Sequence, residues 1–344
     1  MILIKKLCRT LDLTDVFKMN KGLEKRKKIF LRYADSFNLY IKAQGGEAIY
    51  GEIGGKIYRI DKAIYVCPLC LRKFTIKAVE GENPLLTLEH VPPKALGGPS
   101  KILTCKVCNN TSGKDLDSAI MAGLKAYSFF TGKPHSSIPS RFIINSKRFE
   151  GELRYRGKNE ITLRLNENYN SREVINLPPY FEQSEGRVNF ILSFPSNKRF
   201  RNAVLRVAYL QAFTLFGYSF VFNDNIEKIR NHLKDNTSSL NVNMLSQGFS
   251  NDLVGIHLIR EPKEVSNYLI VLPYQDADSR YNVGIILPGP GQEKWNNYLS
   301  YPEFIKNNFA GNDGNMNITL TTLMGYKGVR EEKEAVLHFY TLWE

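Results

Sequence analysis

Two cysteine pairs place the strongest constraint on how this chain folds. The pairs are Cys67/Cys70, within CPLC, and Cys105/Cys108, within CKVC. A CxxC turn lets two sulfurs reach one ion, and zinc prefers four thiolates at the corners of a tetrahedron. We therefore predict a structural Zn²⁺ held by all four cysteines, which would contribute folding free energy to a small subdomain. The remaining cysteine, Cys8, is expected to be a structural or surface thiol.

Composition places the chain among folded proteins with more than one domain. Its 344 residues are 43% hydrophobic and 12% aromatic, which is enough to build ordinary buried cores. No apolar run approaches the roughly 18 residues that span a bilayer, and the N-terminal apolar run is shorter than a secretory signal requires. We expect a cytoplasmic protein without a membrane partner, in which paired cysteines indicate a metal site rather than disulfides.

The net charge is +13, from 47 Lys and Arg against 34 Asp and Glu. A surplus of this size favours a polyanionic partner, because bound phosphates release their counterions when cations neutralise them. An ordinary basic protein explains the charge about as well. The densest basic run, KGLEKRKKIF at 21–30, leads into a helical pattern. Such a run is usually a solvated helix face, although next to a nucleic-acid site it could contact phosphate.

Changes of pattern along the chain predict three segments. Residues 1–60 combine a helix, glycine-rich breaks and strand-like sequence, and residues 61–130 contain both cysteine pairs. The stretch 131–150 is rich in proline and serine, so we expect a boundary there. Residues 150–344 are predicted to form a larger α+β domain of unknown role, available for substrate recognition, partner binding or self-association.

Several elements of that larger domain follow from periodicity. Apolar and polar residues alternate on both sides of Gly157-Lys158-Asn159, which predicts a pair of strands joined by a turn. The apolar stripe over 197–216 predicts a helix that begins after Ser196 and ends at Gly217. A short helix is expected around NIEKIRNHL. Further strands are expected in GRVNFILSF, DLVGIHLI, NYLIVLPY, YNVGIILP, NMNITLTTLMGY and AVLHFYTLW.

The segment between the cysteine pairs predicts a hairpin followed by a helix. A strand ends at Glu89-His90, because Pro92 and Pro93 cannot continue it as a central strand. KILT then forms a second strand that runs into Cys105, and a helix is predicted to start near Asn109 or Asn110. Zinc would clamp the base of this hairpin to the start of the helix.

This order of motifs resembles the HNH (ββα-metal) endonuclease family in its four-cysteine form, from Cys67 to about Tyr127. Shared features are a CxxC pair, an acidic residue followed by histidine, and a second CxxC pair followed directly by asparagine. The resemblance implies that His90 is the general base and that Glu89 and Asn109 bind a catalytic Mg²⁺ or Mn²⁺. It also implies hydrolysis of DNA phosphodiester bonds, with RNA as the less favoured substrate, and products with 5′-phosphate and 3′-hydroxyl ends.

The chemistry of these residue types agrees with those roles. A neutral imidazole can take a proton from water near neutral pH, while carboxylate and amide oxygens are hard ligands suited to Mg²⁺. The metal would stabilise the charge on the phosphate and on the departing 3′-oxygen, and the helix N-terminus would add a partial positive charge. A distorted strand end could direct Glu89 and His90 into one cleft.

The chain departs from the family at the middle asparagine, which orients the base. Pro99, Ser100 and Lys101 fall at that position, and either Ser100 or a backbone carbonyl would have to replace it. Asp117 lies about two helical turns beyond Asn109, so it is a further ligand, a residue that holds the base, or a solvated acid near the helix start.

Lysines around the hairpin form a candidate nucleic-acid track, although each alone is more simply an exposed side chain. They are Lys94, Lys101, Lys106 and Lys114. The other histidines are expected to be structural or solvated. They are His135, His232, His257 and His338.

Other functions remain open at this point. A non-catalytic four-cysteine zinc module that binds nucleic acid explains the cysteines and the charge, but not Glu89, His90 and Asn109. A zinc deaminase requires HxE before PCxxC, an order that this chain lacks. The function could also reside in 150–344, with the HNH segment as its effector, an arrangement found in phage defence.

Overall fold

The computed structural model describes residues 13–47, 51–53, 56–58, 62–94, 97–144, 147–158, 160–166, 189–192, 197–235, 244–245, 249–263, 267–276, 279–289, 315–325 and 332–338. These residues form a mixed helix-and-sheet protein. The α-helices are α1 (Leu13–Ala43), α2 (Lys106–Phe130), α3 (Asn197–Phe216), α4 (Tyr218–Val221) and α5 (Asp224–Asp235). Single 3₁₀ turns occur at Ile76–Val79 and Asn251–Leu253.

The strands are short before α2 and longer after it. The early strands are β1 (Gly51–Ile53), β2 (Lys56–Tyr58), β3 (Tyr65–Val66), β4 (Lys73–Phe74), β5 (Leu86–His90) and β6 (Ser100–Cys105). The later strands are β7 (Ser137–Ile144), β8 (Lys147–Gly157), β9 (Glu160–Leu165), β10 (Asn189–Leu192), β11 (Met244–Leu245), β12 (Gly255–Glu261), β13 (Tyr268–Asp276), β14 (Ser279–Leu287), β15 (Asn315–Gly325) and β16 (Glu332–His338).

The chain folds into two compact units that each combine separate parts of the sequence. The first contains Met1–Lys94, Gly98–Thr111 and Tyr209–Ser238, and the second contains Ala95–Gly97, Ser112–Ala208 and Ser239–Glu344. The predicted segments 1–60, 61–130 and 150–344 are continuous in sequence, whereas each unit combines stretches from separate parts of the chain. Both cysteine pairs and both strands of the β5–β6 hairpin belong to the first unit.

Helix α1 is the main apolar support of the first unit. Its buried residues Phe30, Tyr33, Ala34 and Phe37 recur at helical spacing, so they lie on one face. This face packs against β3 and β6. Tyr33 stacks on Phe213 with ring centroids 4.6 Å apart, and Phe37 meets the ring of Tyr218 edge-on at 5.3 Å. Aromatic pairs in these geometries stabilise a core beyond the area they bury.

Buried tyrosines complete the hydrogen bonding of the short strands. The Tyr218 hydroxyl donates to the carbonyl of Val66 at 2.6 Å and accepts from the Val66 amide at 2.8 Å. The Tyr65 hydroxyl donates to the Leu103 carbonyl and accepts from the Leu103 amide. Burial raises the pKa values of both phenols well above the ordinary value, so both remain neutral and able to donate at physiological pH.

The second unit contains two antiparallel sheets. One has the order β10-β7-β8-β9 and the other the order β11-β14-β13-β12-β15-β16. Alternating side chains of β7, such as Ile138, Phe142 and Ile144, point into a core that also contains Ala126 and Phe129 of α2. The last half of α2 therefore packs on the smaller sheet.

Most element predictions for 150–344 are confirmed. The helix spans Asn197–Phe216 as expected, and Gly217 after it has φ +61°, a conformation that glycine adopts readily. The predicted strand pair forms as β8 and β9, and the later apolar runs form β12 to β16. Strand β7 occupies the stretch where the sequence predicts a boundary, because its alternating side chains outweigh its proline and serine content. Ser196 and Cys8 lie outside the described residues.

None of the described helices is both long enough and apolar enough to cross a membrane.

We predict that Tyr218→Phe destabilises the first unit. The substitution leaves the buried amide and carbonyl of Val66 without their hydrogen-bond partner, which costs about 1–3 kcal/mol of unfolding free energy. Denaturant unfolding of the variant measures this change. Tyr40→Phe is the matched control, because Tyr40 is half-buried and stacks on Phe222 at 4.8 Å through its ring. Equal stability of the two variants would contradict the bridging role of Tyr218.

Candidate metal centre and the adjoining hairpin

Cys67, Cys70, Cys105 and Cys108 come together in the first unit. Their four sulfur atoms all lie within 4.8 Å of one another, and those of Cys70 and Cys105 are 3.6 Å apart. A tetrahedral zinc with Zn–S bonds of about 2.3 Å separates its sulfurs by about 3.8 Å. The cluster therefore fits a zinc ion, and it could hold a metal ion as the sequence predicts. Among the described residues, no other group of three or more His, Cys, Asp or Glu side chains is arranged to bind a metal.

The first cysteine pair lies in a tight turn between β3 and β4. The Leu71 amide donates to the Cys67 carbonyl, and the Cys67 amide donates to the Arg72 carbonyl, both at 2.9 Å. Leu71 has φ +60°, which lets the chain reverse so soon after Cys70. On the outer side, the Tyr209 hydroxyl donates to the Pro68 carbonyl at 2.7 Å. These contacts fix the turn from which two sulfurs project.

The second pair lies where β6 runs directly into α2. Cys105 is the last residue of the strand, and the amide of Cys108 in the first helical turn donates to the Cys105 sulfur at 3.4 Å. The sulfur thus accepts from a helix-terminal amide, as the side-chain oxygen of an ordinary N-cap residue does. Helix α2 consequently begins at Lys106, about one turn before the predicted start near Asn109 or Asn110.

Arg72 supplies positive charge to the cluster. Its Nε donates to the Cys70 sulfur at 3.4 Å and its Nη2 to the Cys105 sulfur at 3.0 Å. The hydrogen bond to Cys70 and the charge of Cys105 raise the pKa of Arg72 above its ordinary value. A zinc ion with four thiolates carries a net charge of about −2, so a guanidinium at this position would offset part of that charge.

The β5–β6 hairpin lies between the two cysteine pairs and carries the candidate catalytic residues. Pairing is antiparallel, with Leu86 opposite Cys105 and Thr87 opposite Thr104, until the register shifts between Glu89 and His90. Beyond the shift, His90 pairs with Ser100. The distorted strand end that the sequence requires is therefore present, and it arises because Lys101 is the extra residue on β6.

The loop that closes the hairpin returns tightly past the end of β5. The Val91 amide donates to the Pro99 carbonyl at 3.1 Å, and the Gly98 amide donates to the Pro93 carbonyl at 3.2 Å. A Cβ atom on Gly98 would lie 1.6 Å from the carbonyl oxygen of Pro92, so only glycine fits there. This close approach holds Ser100 opposite His90.

Glu89 is a buried carboxylate with 6% of its surface exposed. Its Oε2 accepts a hydrogen bond from the Thr104 hydroxyl at 2.9 Å. Thr104 lies directly across the hairpin from Thr87, and both threonines share a strand face with Glu89 because residues two apart on a strand point the same way. The carboxylate is thereby held on the face that carries these two hydroxyls.

Asn109 contacts the same part of the hairpin from the first turn of α2. Its Nδ2 donates to the Thr87 hydroxyl at 2.8 Å and to the Leu88 carbonyl at 3.4 Å. With the nitrogen directed to the strand, the oxygen Oδ1 is the atom that could bind a cation. The following residue, Asn110, is exposed. Glu89 and Asn109 are thus each hydrogen-bonded to one member of the cross-strand pair Thr104 and Thr87.

His90 is half-buried at the register shift. Its Nε2 lies 2.9 Å from the Ser100 hydroxyl, so a serine contacts the ring where the family has an asparagine. Desolvation lowers the pKa of His90, and the charges of Lys94 and Lys25 lower it further, against the opposing effect of Glu89. Because the pKa lies below its ordinary value of 6.5, the imidazole is neutral at pH 7.

The candidate nucleic-acid lysines differ in their surroundings. Lys94 and Lys106 are exposed, while Lys101 is half-buried and its pKa is lowered by desolvation and by the charge of Arg32. Lys114 belongs to α2, but its side chain lies outside the described residues. Asp117 is half-buried farther along α2, in the second unit.

The remaining histidines fit the structural roles expected of them where they are described. His257 is fully buried, with Nε2 2.7 Å from the Leu253 carbonyl oxygen and Nδ1 3.1 Å from the Thr322 hydroxyl. His232 is buried in α5 and His135 is exposed in a turn. The side chain of His338 lies outside the described residues.

Sequence reasoning missed Arg72, Thr87 and Thr104. Arg72 lies two positions after Cys70, and a cation so close to a CxxC pair is a signal that could have identified it. The threonines gave no comparable signal, because their role depends on the pairing register of β5 and β6.

We predict that the purified protein contains about one zinc ion per chain and that Cys105→Ser loses it. A hydroxyl is a poor zinc ligand compared with a thiolate, and Cys105 also accepts the helix-terminal hydrogen bond. Metal content by inductively coupled plasma mass spectrometry gives the stoichiometry. Cys8→Ser is the control and should retain zinc. Full zinc content in Cys105→Ser would contradict the four-sulfur site.

Comparison of the chain with protein-family models, with curated proteins and with solved structures found no match. The functional interpretation of this centre therefore rests on the side chains of this chain and on the chemistry that they can perform.

Proposed function

We propose that the β5–β6 hairpin and the start of α2 form the catalytic core of a metal-dependent endonuclease that hydrolyses DNA phosphodiester bonds in the manner of the HNH family. The observation that carries the proposal is that Glu89, His90 and Asn109 all make hydrogen bonds to one hairpin beside the four-sulfur cluster. Their contacts to Thr104, Ser100 and Thr87 fix a carboxylate, an imidazole and an amide relative to its two strands.

In this proposal His90 is the general base. When the ring is protonated on Nε2, the Ser100 hydroxyl accepts that hydrogen bond and Nδ1 carries the lone pair that takes a proton from water. The resulting hydroxide forms the new bond to phosphorus, and the bond from phosphorus to the 3′-oxygen breaks. The leaving oxygen then receives a proton from solvent, so the products end in 5′-phosphate and 3′-hydroxyl.

Glu89 and Asn109 are the proposed ligands of the catalytic Mg²⁺ or Mn²⁺. Carboxylate and amide oxygens suit such an ion, with waters and substrate phosphate completing its coordination. When bound, the ion would supply Lewis-acid stabilisation of the charge that develops on the phosphate and the leaving oxygen. Thr104 and Thr87 orient the two ligands, and the amides at the start of α2 add a partial positive charge nearby.

Support for a nucleic-acid substrate comes from the charge of the chain. The net charge of +13 favours a polyanion, and exposed Lys94 and Lys106 lie on the segments that carry the candidate site. The preference for DNA over RNA and a role in phage defence come from the family resemblance. The cytoplasmic setting comes from the short apolar runs of the sequence, and all three are part of the proposal.

A non-catalytic zinc module that binds nucleic acid is the second candidate. The burial of Glu89 favours it, because a carboxylate with 6% exposure and a threonine hydrogen bond could serve the hairpin alone. Such a module would use the same cysteines and lysines, but it would leave the pairing of His90 with Ser100 without a purpose.

We predict that His90→Asn lowers metal-dependent cleavage by about 10²-fold or more, which is the usual contribution of a general base. Nicking of supercoiled plasmid with and without Mg²⁺ measures the rate. The matched control is His135→Asn, which removes an exposed imidazole from a residue with φ +65° that asparagine tolerates. Equal nicking by wild type and His90→Asn, or nicking that needs no divalent ion, would defeat the nuclease proposal.

Ser100→Ala tests the orientation of the base. Loss of one hydrogen bond of about 1.4 kcal/mol corresponds to a roughly tenfold lower kcat, while KM stays near its wild-type value. Ser100→Thr keeps the hydroxyl and should recover most of the rate in the same plasmid-nicking assay. A Ser100→Ala enzyme with unchanged kcat would show that the hydroxyl does not position His90.

A further inference from the structure

Helix α1 has a cationic face opposite its buried one. The cations Lys21, Lys25, Lys28 and Arg32 are all exposed, and their spacing of four, three and four residues places them within a sector of about 60°. The buried residues Phe30, Tyr33, Ala34 and Phe37 fall on the opposite side of the helix. We call the four cations the α1 cationic face, and at 1.5 Å per residue it extends for about 16 Å.

Arg26 and Lys27, which lie off this face on α1, have structural partners, whereas most of this face does not. Arg26 donates from Nε to the Val79 carbonyl at 3.0 Å, and Lys27 pairs with Glu80 at 3.2 Å. Arg32 makes a long contact from Nη2 to the Thr214 carbonyl at 3.4 Å, and its guanidinium lies 5.5 Å from the centroid of the Tyr33 ring. Within the described part of the chain, no ion pair or hydrogen bond involves the ammonium groups of Lys21, Lys25 and Lys28.

Helix α1, which carries the cationic face, lies beside the hairpin within the first unit. Its buried side packs against β6, the strand that carries Ser100 and Lys101. The positive charge of Arg32 acts on Lys101, which lies on that strand. Exposed acids, Glu24 and Asp35, border the line of cations on one flank. Like charges are thus gathered beside the hairpin, an arrangement that a bound polyanion would relieve.

We propose that the α1 cationic face binds the phosphate backbone of the nucleic acid that the hairpin acts on. This inference rests on the proposed function and extends it, because it gives the substrate a second contact surface beyond the lysines of the hairpin and α2. A span of about 16 Å covers roughly five base-pair rises of a duplex, so the face would hold phosphates next to the cleaved one.

The residues of the face favour nucleic acid over a membrane surface. A helix that lies in a bilayer interface needs large apolar side chains next to its cations. Between positions 21 and 32 the apolar side chains of α1 are partly or fully buried, and the exposed residues are charged. A linear set of lysines and one arginine is the composition that binds a phosphate backbone without reading its sequence.

The test measures the salt dependence of duplex binding by the full-length protein. Fluorescence anisotropy of a short labelled duplex, without added Mg²⁺, is compared for wild type and for a triple variant with Lys21→Gln, Lys25→Gln and Lys28→Gln. The slope of log K against log salt is negative, and each lost phosphate contact makes it less steep by about 0.9. The slope of the triple variant should therefore be smaller in magnitude by about 2.7.

A control triple variant removes the same charge from exposed lysines of the first unit that lie off the face. It carries Lys73→Gln, Lys77→Gln and Lys234→Gln, and it should keep the wild-type slope. Zinc content and circular dichroism of both variants should match wild type, which excludes misfolding as the cause of any difference.

Several results would overturn the inference. They are an unchanged slope in the face variant, equal losses in both triple variants, no duplex binding by wild type, and a loss confined to binding of phosphatidylserine vesicles. Cleavage of the same duplex after Mg²⁺ addition is scored separately. Wild-type binding with the predicted slopes but without cleavage would support the face and contradict the nuclease proposal.

Discussion

The four-sulfur cluster is the interaction on which the candidate site depends. It joins the turn after β3 to the junction of β6 and α2, two places that are far apart in sequence. The hairpin between them is short, and a two-stranded hairpin is marginally stable in water without further support. A zinc ion bound by the four thiolates would fix both the base of the hairpin and the direction in which α2 leaves it.

Buried tyrosine side chains connect the backbone around the sulfur cluster to the core of the first unit. Tyr209 bonds to the turn that carries Cys67 and Cys70, and Tyr218 bonds to both polar groups of Val66 just before it. Tyr65 on β3 reaches the backbone of Leu103 on β6. These hydroxyls pair with backbone amides and carbonyls that a longer strand would pair with a neighbouring strand. Their hydrogen bonds explain how strands as short as two residues are stable in this unit.

The sequence predicts the parts of the site that depend on the spacing of residues along the chain. It does not predict the contacts that depend on how β5 and β6 pair. Two CxxC pairs predict the sulfur cluster, and the prolines after His90 predict the end of β5. The sequence predicts a start of α2 that is about one turn too late, because the Cys105 sulfur caps the helix in a way that ordinary capping preferences do not describe. The contact of Thr104 with Glu89 depends on the pairing register of β5 and β6, and that of Ser100 with His90 depends on the register shift at Lys101. A single sequence determines neither.

The most direct test is anomalous diffraction from crystals of the protein grown with Mn²⁺. We expect a zinc signal centred among Cys67, Cys70, Cys105 and Cys108, and a separate manganese signal within bonding distance of Glu89 and Asn109, with His90 facing the same cleft. A zinc signal accompanied by no manganese at Glu89, or by an imidazole turned away from that carboxylate, would contradict the claim that this hairpin is a nuclease centre.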